Sequence, residues 1–129
     1  MTDRELVDRA IEMKDRAYVP YSNFHVGAAL EAEDGTVITG CNVENGAYGV
    51  CICGEQTAIV KAVSEGHRKF KRIAVAGDSD GPCLPCGACR QVLSEFCEPD
   101  MPILCAGLDG AFASYTMGEL LPHSFKLER

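Results

Sequence analysis

The spacing of hydrophobic positions changes several times along the chain, and each change marks a new element. Residues 3–17 (DRELVDRAIEMKDRA) place Leu6, Val7, Ala10, Ile11 and Ala17 at helical intervals with charges between them. That pattern predicts an amphipathic helix, capped by Thr2 or Asp3 and stopped before Pro20. Two short apolar runs then flank Asp34-Gly35, which predicts a hairpin with strands at 26–32 and 36–42. In GEQTAIVKAVSEGH the helical period returns, with Ala58, Ile59, Ala62 and Val63 inward and Gly66 near the end. RIAVAG is a short, wholly apolar run of the kind that forms a strand covered on both faces. GPCLPCGACRQVLSEF passes from a Pro/Gly loop into a third helix, and MPILCAGL predicts another strand. Asp109-Gly110 turns into the strand FASYTM, and a short helix follows around Met117–Leu121. This order suggests an α/β fold: a three-layer α/β/α domain over 1–129, with one mixed, roughly five-stranded sheet.

Composition narrows the picture. A chain of 129 residues, 47% hydrophobic and 24% charged, has the makings of one packed core and excludes intrinsic disorder. Twelve basic against nineteen acidic residues leave a formal charge of −7, which speaks against nucleic-acid or anionic-membrane partners. No apolar run approaches the ~20 residues of a membrane span. The polar start MTDRELVDRA does not read as a secretory signal, so a cytoplasmic protein is expected.

Eight cysteines are the anomaly. In a reducing compartment they point to metal ligation or plain burial rather than disulfides. Two segments concentrate the chemistry: Cys51-Ile-Cys53-Gly-Glu55-Gln56 and Pro85-Cys86-Gly-Ala-Cys89-Arg90. A Cys-x-x-Cys pair brings two sulfurs within reach of one tetrahedral ion, and at a helix start the N–H groups and dipole favour thiolates. Spacing alone leaves Cys51 and Cys53 both open as further ligands. Three protein ligands would suggest catalysis and four a closed structural zinc. If Cys53 begins a helix, Glu55 lies in the first turn, within reach of a molecule at the metal's open position, where a carboxylate can relay protons. Cys-x-Glu followed by Pro-Cys-x-x-Cys is the constellation of the zinc deaminases, in which the Glu is acid and base rather than ligand.

Along nearly its whole length the chain resembles the small, tetrameric cytidine deaminases. AYVPYSNFHVGAAL, GCNVENGAYG, CGEQTAI, PCGACRQVL and ELLPHSF match that family's segments in order. The resemblance implies one Zn²⁺ per chain on Cys53, Cys86 and Cys89, and Glu55 as the catalytic proton carrier. It implies Asn42 and Glu44 at the ribose hydroxyls, Gly46 and Tyr48 completing the nucleoside pocket, and Phe24 packing on the base. Phe125 is implied as an aromatic contributed across a subunit interface of a homotetramer with shared active sites. The implied function is zinc-dependent hydrolytic deamination of cytidine and 2′-deoxycytidine, in pyrimidine salvage.

Two positions depart from the family pattern. Gly54 stands where alanine is common, at up to about 1 kcal/mol in helix propensity. Gln56 stands where many members carry an arginine that donates to the ligand sulfurs; it keeps donors but supplies no charge, leaving Arg90 or the helix dipoles to compensate. Such a pocket leaves room for two other readings, a deaminase of N4-substituted cytidines or blasticidin S, and a non-catalytic zinc module closed by Cys51. Outside the motif, Cys41, Cys97 and Cys105 read as core thiols, Cys83 as a loop thiol, and Tyr48 and Phe24 by themselves as core aromatics.

Overall fold

The computed structural model of the chain describes residues 1–128. Five strands form one mixed sheet: β1 (Val26–Ala32), β2 (Val37–Cys41), β3 (Phe70–Gly77), β4 (Pro102–Ala106) and β5 (Phe112–Thr116), in the spatial order β2-β1-β3-β4-β5. β3 and β4 are parallel and every other pairing is antiparallel. The hairpin between β1 and β2 turns at Asp34-Gly35 as expected. Gly35 takes φ +91°, and the Asp34 carboxylate accepts the Thr36 N–H at 3.0 Å.

One helix covers one face and three cover the other. α1 (Asp3–Met13) is fastened by a capping box, Thr2 accepting from the Glu5 N–H and Glu5 accepting from the Thr2 N–H. The periodicity predicted helix through Ala17, but the last turn tightens into a 3-10 turn at Lys14–Arg16, a common way to end a helix. Its Leu6, Val7 and Ala10 pack on Ala29, Ala74, Ala76, Leu104 and Ala106. That face is built from small residues, so the helix lies close. A Cβ on Gly27 would sit 2.0 Å from the Ala10 carbonyl oxygen. The opposite face carries the larger set, Leu30, Ile73, Val75 and Ile103, under α2 (Gly54–Ser64), α3 (Gly87–Phe96) and α4 (Met117–Leu120). Alternation along each strand sorts these two sets, as a side-chain period of two requires.

Two features of this frame aim at the site. α2 runs close across β2 because Gly40 has no side chain; a Cβ there would lie 2.6 Å from the Ala58 nitrogen and 2.7 Å from the Gly54 oxygen. The parallel β3–β4 pair needs a crossover, and α3 lies within it, so its N-terminus opens beyond the carboxyl end of β3.

At that same end of β3, Asp78 joins three elements. Its carboxylate accepts the His25 N–H at 2.7 Å, faces the His25 ring at 2.8 Å and pairs with the Lys14 ammonium at 2.9 Å. Burial pushes the Asp78 carboxyl up, but the His25 N–H, the Lys14 ammonium and the His25 ring outweigh it and hold the group at about 2. A carboxylate depressed in the folded state stabilises above its unfolded value, and that contribution fades as pH falls towards 2. Asp78→Asn is therefore expected to cost about 1–2 kcal/mol at pH 6. Urea midpoints of the two proteins should converge between pH 4 and pH 2. A gap that stays constant over that range would refute the ionic origin.

A candidate zinc and nucleoside site

Three sulfurs meet where α2 and α3 begin. Cys53 is the N-cap residue of α2 and Cys86 that of α3; Cys89 lies in the first turn of α3 with no exposed surface. The Cys86 sulfur accepts the Cys89 N–H at 3.5 Å, the cap that a Cys-x-x-Cys at a helix start makes possible. Cys53 and Cys86 sulfurs lie 3.8 Å apart, and those of Cys86 and Cys89 3.3 Å. Tetrahedral thiolates around zinc at ~2.3 Å stand about 3.8 Å from one another, so the three positions fit one Zn²⁺. The sulfurs lie close enough to shift one another's ionisation. The hydrogen bond from Cys89 draws the Cys53 thiol down to about 7 against its burial and the Glu55 charge, while that shared hydrogen bond and burial push Cys89 far up. Three thiolates this close need a cation between them.

Among the described residues this is the one group of three such side chains placed to hold an ion, and Cys51 is outside it. Two residues before Cys53, Cys51 instead turns its sulfur to the backbone of Asn45, accepting that N–H at 3.3 Å. Cys41, expected in the core, is only part-buried and donates to the Arg16 carbonyl, while Cys83, Cys97 and Cys105 are packing groups. Burial pushes Cys83 up to about 11 and Cys97 and Cys105 each to about 12, far from the reactive thiolate range.

Glu55 sits in the first turn of α2, only 4% exposed, and burial raises its carboxyl above the ordinary range, opposed by its own N–H and the Cys89 thiol. A carboxylate in the interior that is not a ligand is the composition of a proton-relay site. Gln56 donates from Nε2 to the Cys89 sulfur at 3.5 Å. Gly54 is buried against β1, where a Cβ would lie 3.3 Å from both Val26 Cγ1 and the Val26 carbonyl oxygen. The contact is tight enough that the missing methyl relieves crowding as well as lowering helix propensity. Arg90 does not turn to the sulfurs. It donates to the carbonyls of Pro85 at 2.8 Å and Leu120 at 2.9 Å, and so braces the ligand loop against the end of α4.

The expected nucleoside residues divide into three sets. Phe24, Asn42 and Glu44 are knit together by hydrogen bonds. Asn42 accepts the Val26 N–H at 2.9 Å and donates to the Phe24 carbonyl at 2.8 Å, and Glu44 accepts the N–H groups of Tyr21 at 3.0 Å and Ser22 at 3.1 Å. Gly46 and Tyr48 lie beside them; a Cβ on Gly46 would meet the Tyr21 hydroxyl at 3.1 Å, and the Tyr48 ring stands edge-on to Tyr21 at 5.8 Å. A cavity of about 300 Å³ opens between Tyr21, Ser22, Glu44, Tyr48 and Cys51. Phe125 is outside that lining, 68% exposed, its carbonyl accepting from Gln91. Tyr21, Ser22 and Cys51 were not singled out from the sequence as lining residues. The one signal for them was adjacency to Phe24 and Cys53.

Helix-capping cysteines arranged for one metal, beside a buried carboxylate, are the parts of a site for metal-assisted hydrolysis. The model of the cytidine and deoxycytidylate deaminase zinc-binding region matches residues 1–105. A cytidine deaminase of Sporosarcina psychrophila is 50% identical over 128 residues, 99% of this chain and 94% of that one. One of Halalkalibacterium halodurans is 49% identical over 98% of this chain and 96% of that one. The crystal structure of a cytidine deaminase from Burkholderia pseudomallei superposes with a TM-score of 0.94 at 46% identity, covering 97% of this chain and all of that one. A blasticidin-S deaminase of Bacillus cereus matches at 32% identity over 93% of this chain and 89% of that one. The chain belongs to the cytidine and deoxycytidylate deaminase family. It is an enzyme, and zinc is its cofactor.

Proposed function

We propose that the enzyme hydrolyses cytidine and 2′-deoxycytidine to uridine and 2′-deoxyuridine with release of ammonia, as a step of pyrimidine salvage in the cytoplasm. The observation that carries this reading is Glu55, 4% exposed in the first turn of α2, beside three sulfurs but not one of the metal-holding group. Cys53, Cys86 and Cys89 would hold one Zn²⁺, which when bound acts as a Lewis acid and makes water a nucleophile near neutral pH. Glu55 takes the proton of the attacking water and gives it to N3 of the base, promoting attack at C4. It then relays a proton to the amino nitrogen as the C4–N bond breaks. Gln56 donates to the Cys89 sulfur, and Arg90 steadies the loop that presents Cys86. Asn42 and Glu44 bind the sugar hydroxyls, Phe24 packs on the base, and Gly46 and Tyr48 close the pocket.

A homotetramer with shared active sites accounts for the exposed aromatics. Tyr48 is 73% and Phe125 68% exposed, and Tyr18, Val50 and Val60 are also exposed, apolar surface that a second copy would cover. Eight free thiols suit a reducing cytoplasm. Cys51, turned to Asn45, argues against a zinc closed by four cysteines. The lower identity to the blasticidin-S enzyme ranks that substrate second.

The test is the ultraviolet absorbance change on mixing zinc-replete protein with cytidine, with ammonia release as the cross-check. Steady turnover is expected. One bound zinc per chain without turnover would overturn the substrate assignment and send the search to N4-substituted cytidines and blasticidin S.

A further inference from the structure

Ser22 occupies the junction of the residues expected to recognise the sugar and the base. Its Oγ accepts the Phe24 N–H at 3.0 Å, so its own hydroxyl proton must point elsewhere, and the acceptor it meets is Glu44 Oε2. Oε1 of the same carboxylate already accepts two backbone N–H groups, those of Tyr21 and Ser22. A carboxylate offers about four lone-pair positions. Three are therefore taken by the segment carrying Tyr21 and Ser22, and one remains, on Oε2; Glu44 itself lines the cavity with Tyr21 and Tyr48. The Phe24 backbone is gripped from both sides, its N–H by Ser22 and its carbonyl by Asn42. Glu44, Ser22, Phe24 and Asn42 thus form one continuous chain of hydrogen bonds, passing through the serine hydroxyl.

We propose that Ser22 is a positioning residue for sugar recognition, orienting Glu44 so that its one free acceptor meets a single hydroxyl of the nucleoside and tying it to the Phe24 backbone. The inference rests on the nucleoside reading above and adds to it a residue that acts through Glu44. Supporting it, the Ser22 hydroxyl is the leading cause that holds the Glu44 carboxyl below its ordinary range, which keeps it an acceptor across neutral pH. Without the hydroxyl, Oε2 loses its fixed donor and the carboxylate is free to rotate. Ser22 is itself exposed, so replacing it leaves no cavity in the core.

The test compares wild type, Ser22→Ala and Ser22→Thr in the zinc-loaded full-length enzyme on cytidine and on 2′,3′-dideoxycytidine, which lacks both ring hydroxyls. A hydrogen bond to a charged group, once removed, should raise KM for cytidine about tenfold in Ser22→Ala, with kcat within about threefold. On the dideoxy substrate kcat/KM should move less than about twofold, and Ser22→Thr should restore most of the loss on cytidine. Parallel losses on both substrates, a fall in kcat at unchanged KM, or a threonine variant no better than alanine would each overturn the positioning role. Wild-type enzyme that turns over cytidine while Ser22→Ala matches it would overturn this inference alone. Wild type inert towards cytidine would overturn the nucleoside reading and this inference with it.

Discussion

Zinc-loaded enzyme carrying Glu55→Gln is expected to lose about 10³- to 10⁴-fold in kcat while keeping one zinc per chain and its fold. The substitution preserves shape and removes only the ability to take and return a proton. Zinc should stay because Glu55 is not one of the three side chains placed to hold it. The fold should stay because Glu55 lies in the interior, 4% exposed, where a neutral amide of the same size is no harder to accommodate than a carboxylate. Turnover, zinc content and thermal midpoint measured on one preparation separate the possibilities. Activity within tenfold of wild type would mean that another group carries the proton. Loss of zinc together with activity would mean that Glu55 helps hold the metal.

Cys89→Ala should have an effect of comparable size by a different route. Cys89 has no exposed surface, lies 3.3 Å from the Cys86 sulfur and receives the Gln56 amide. Its loss leaves two ligands, too few for a tetrahedral site, so zinc content after dialysis against a mild chelator should fall from one per chain to near zero and turnover with it. Metal binding to the folded state is also folding free energy, so the thermal midpoint should drop by on the order of 10 °C and stop responding to added zinc. Cys51→Ser provides the contrast. With its sulfur turned to Asn45, it should retain zinc and lose no more than a few-fold in activity. A Cys51 variant that sheds zinc, or a Cys89 variant that keeps it, would reverse the assignment of the ligands.

Neither expectation needed the structure to name its residue; the family resemblance already favoured Cys53 over Cys51, but only the structure supplies the physical reason. Both cysteines precede the same helix, two residues apart, and nothing in their spacing ranks them. Backbone geometry separates them. Cys53 caps α2 in extended conformation, facing α3, whereas Cys51 ends the 3-10 turn at Tyr48–Val50 and bonds back to Asn45. Arg90 illustrates the opposite case. Adjacency to Cys89 suggested direct electrostatic support of the thiolates, and the folded chain gives its guanidinium two carbonyls, one of them thirty residues away on Leu120. Gly54, expected only to loosen the helix, is accommodated under Val26 in a contact too close for an easy methyl.

What the sequence determined by itself is local. A separation of three positions at a helix start brings Cys86 and Cys89 to one ion, Asp34-Gly35 turns the hairpin, and alternation sorts Leu30, Ile73 and Ile103 from Ala29, Ala74 and Leu104. Those features follow from periods of two and 3.6 residues and from turn chemistry, which act within a few residues. Tertiary structure decided what depends on distant segments meeting. The third sulfur arrives from 33 residues away because α2 and α3 pack on the same face of the sheet. Strand order set β1 between β2 and β3, and Ser22 reached Glu44 across 22 residues of chain. Such contacts are chosen by the packing of the whole core, in which many weak, non-directional terms compete, and no short window of sequence carries that sum.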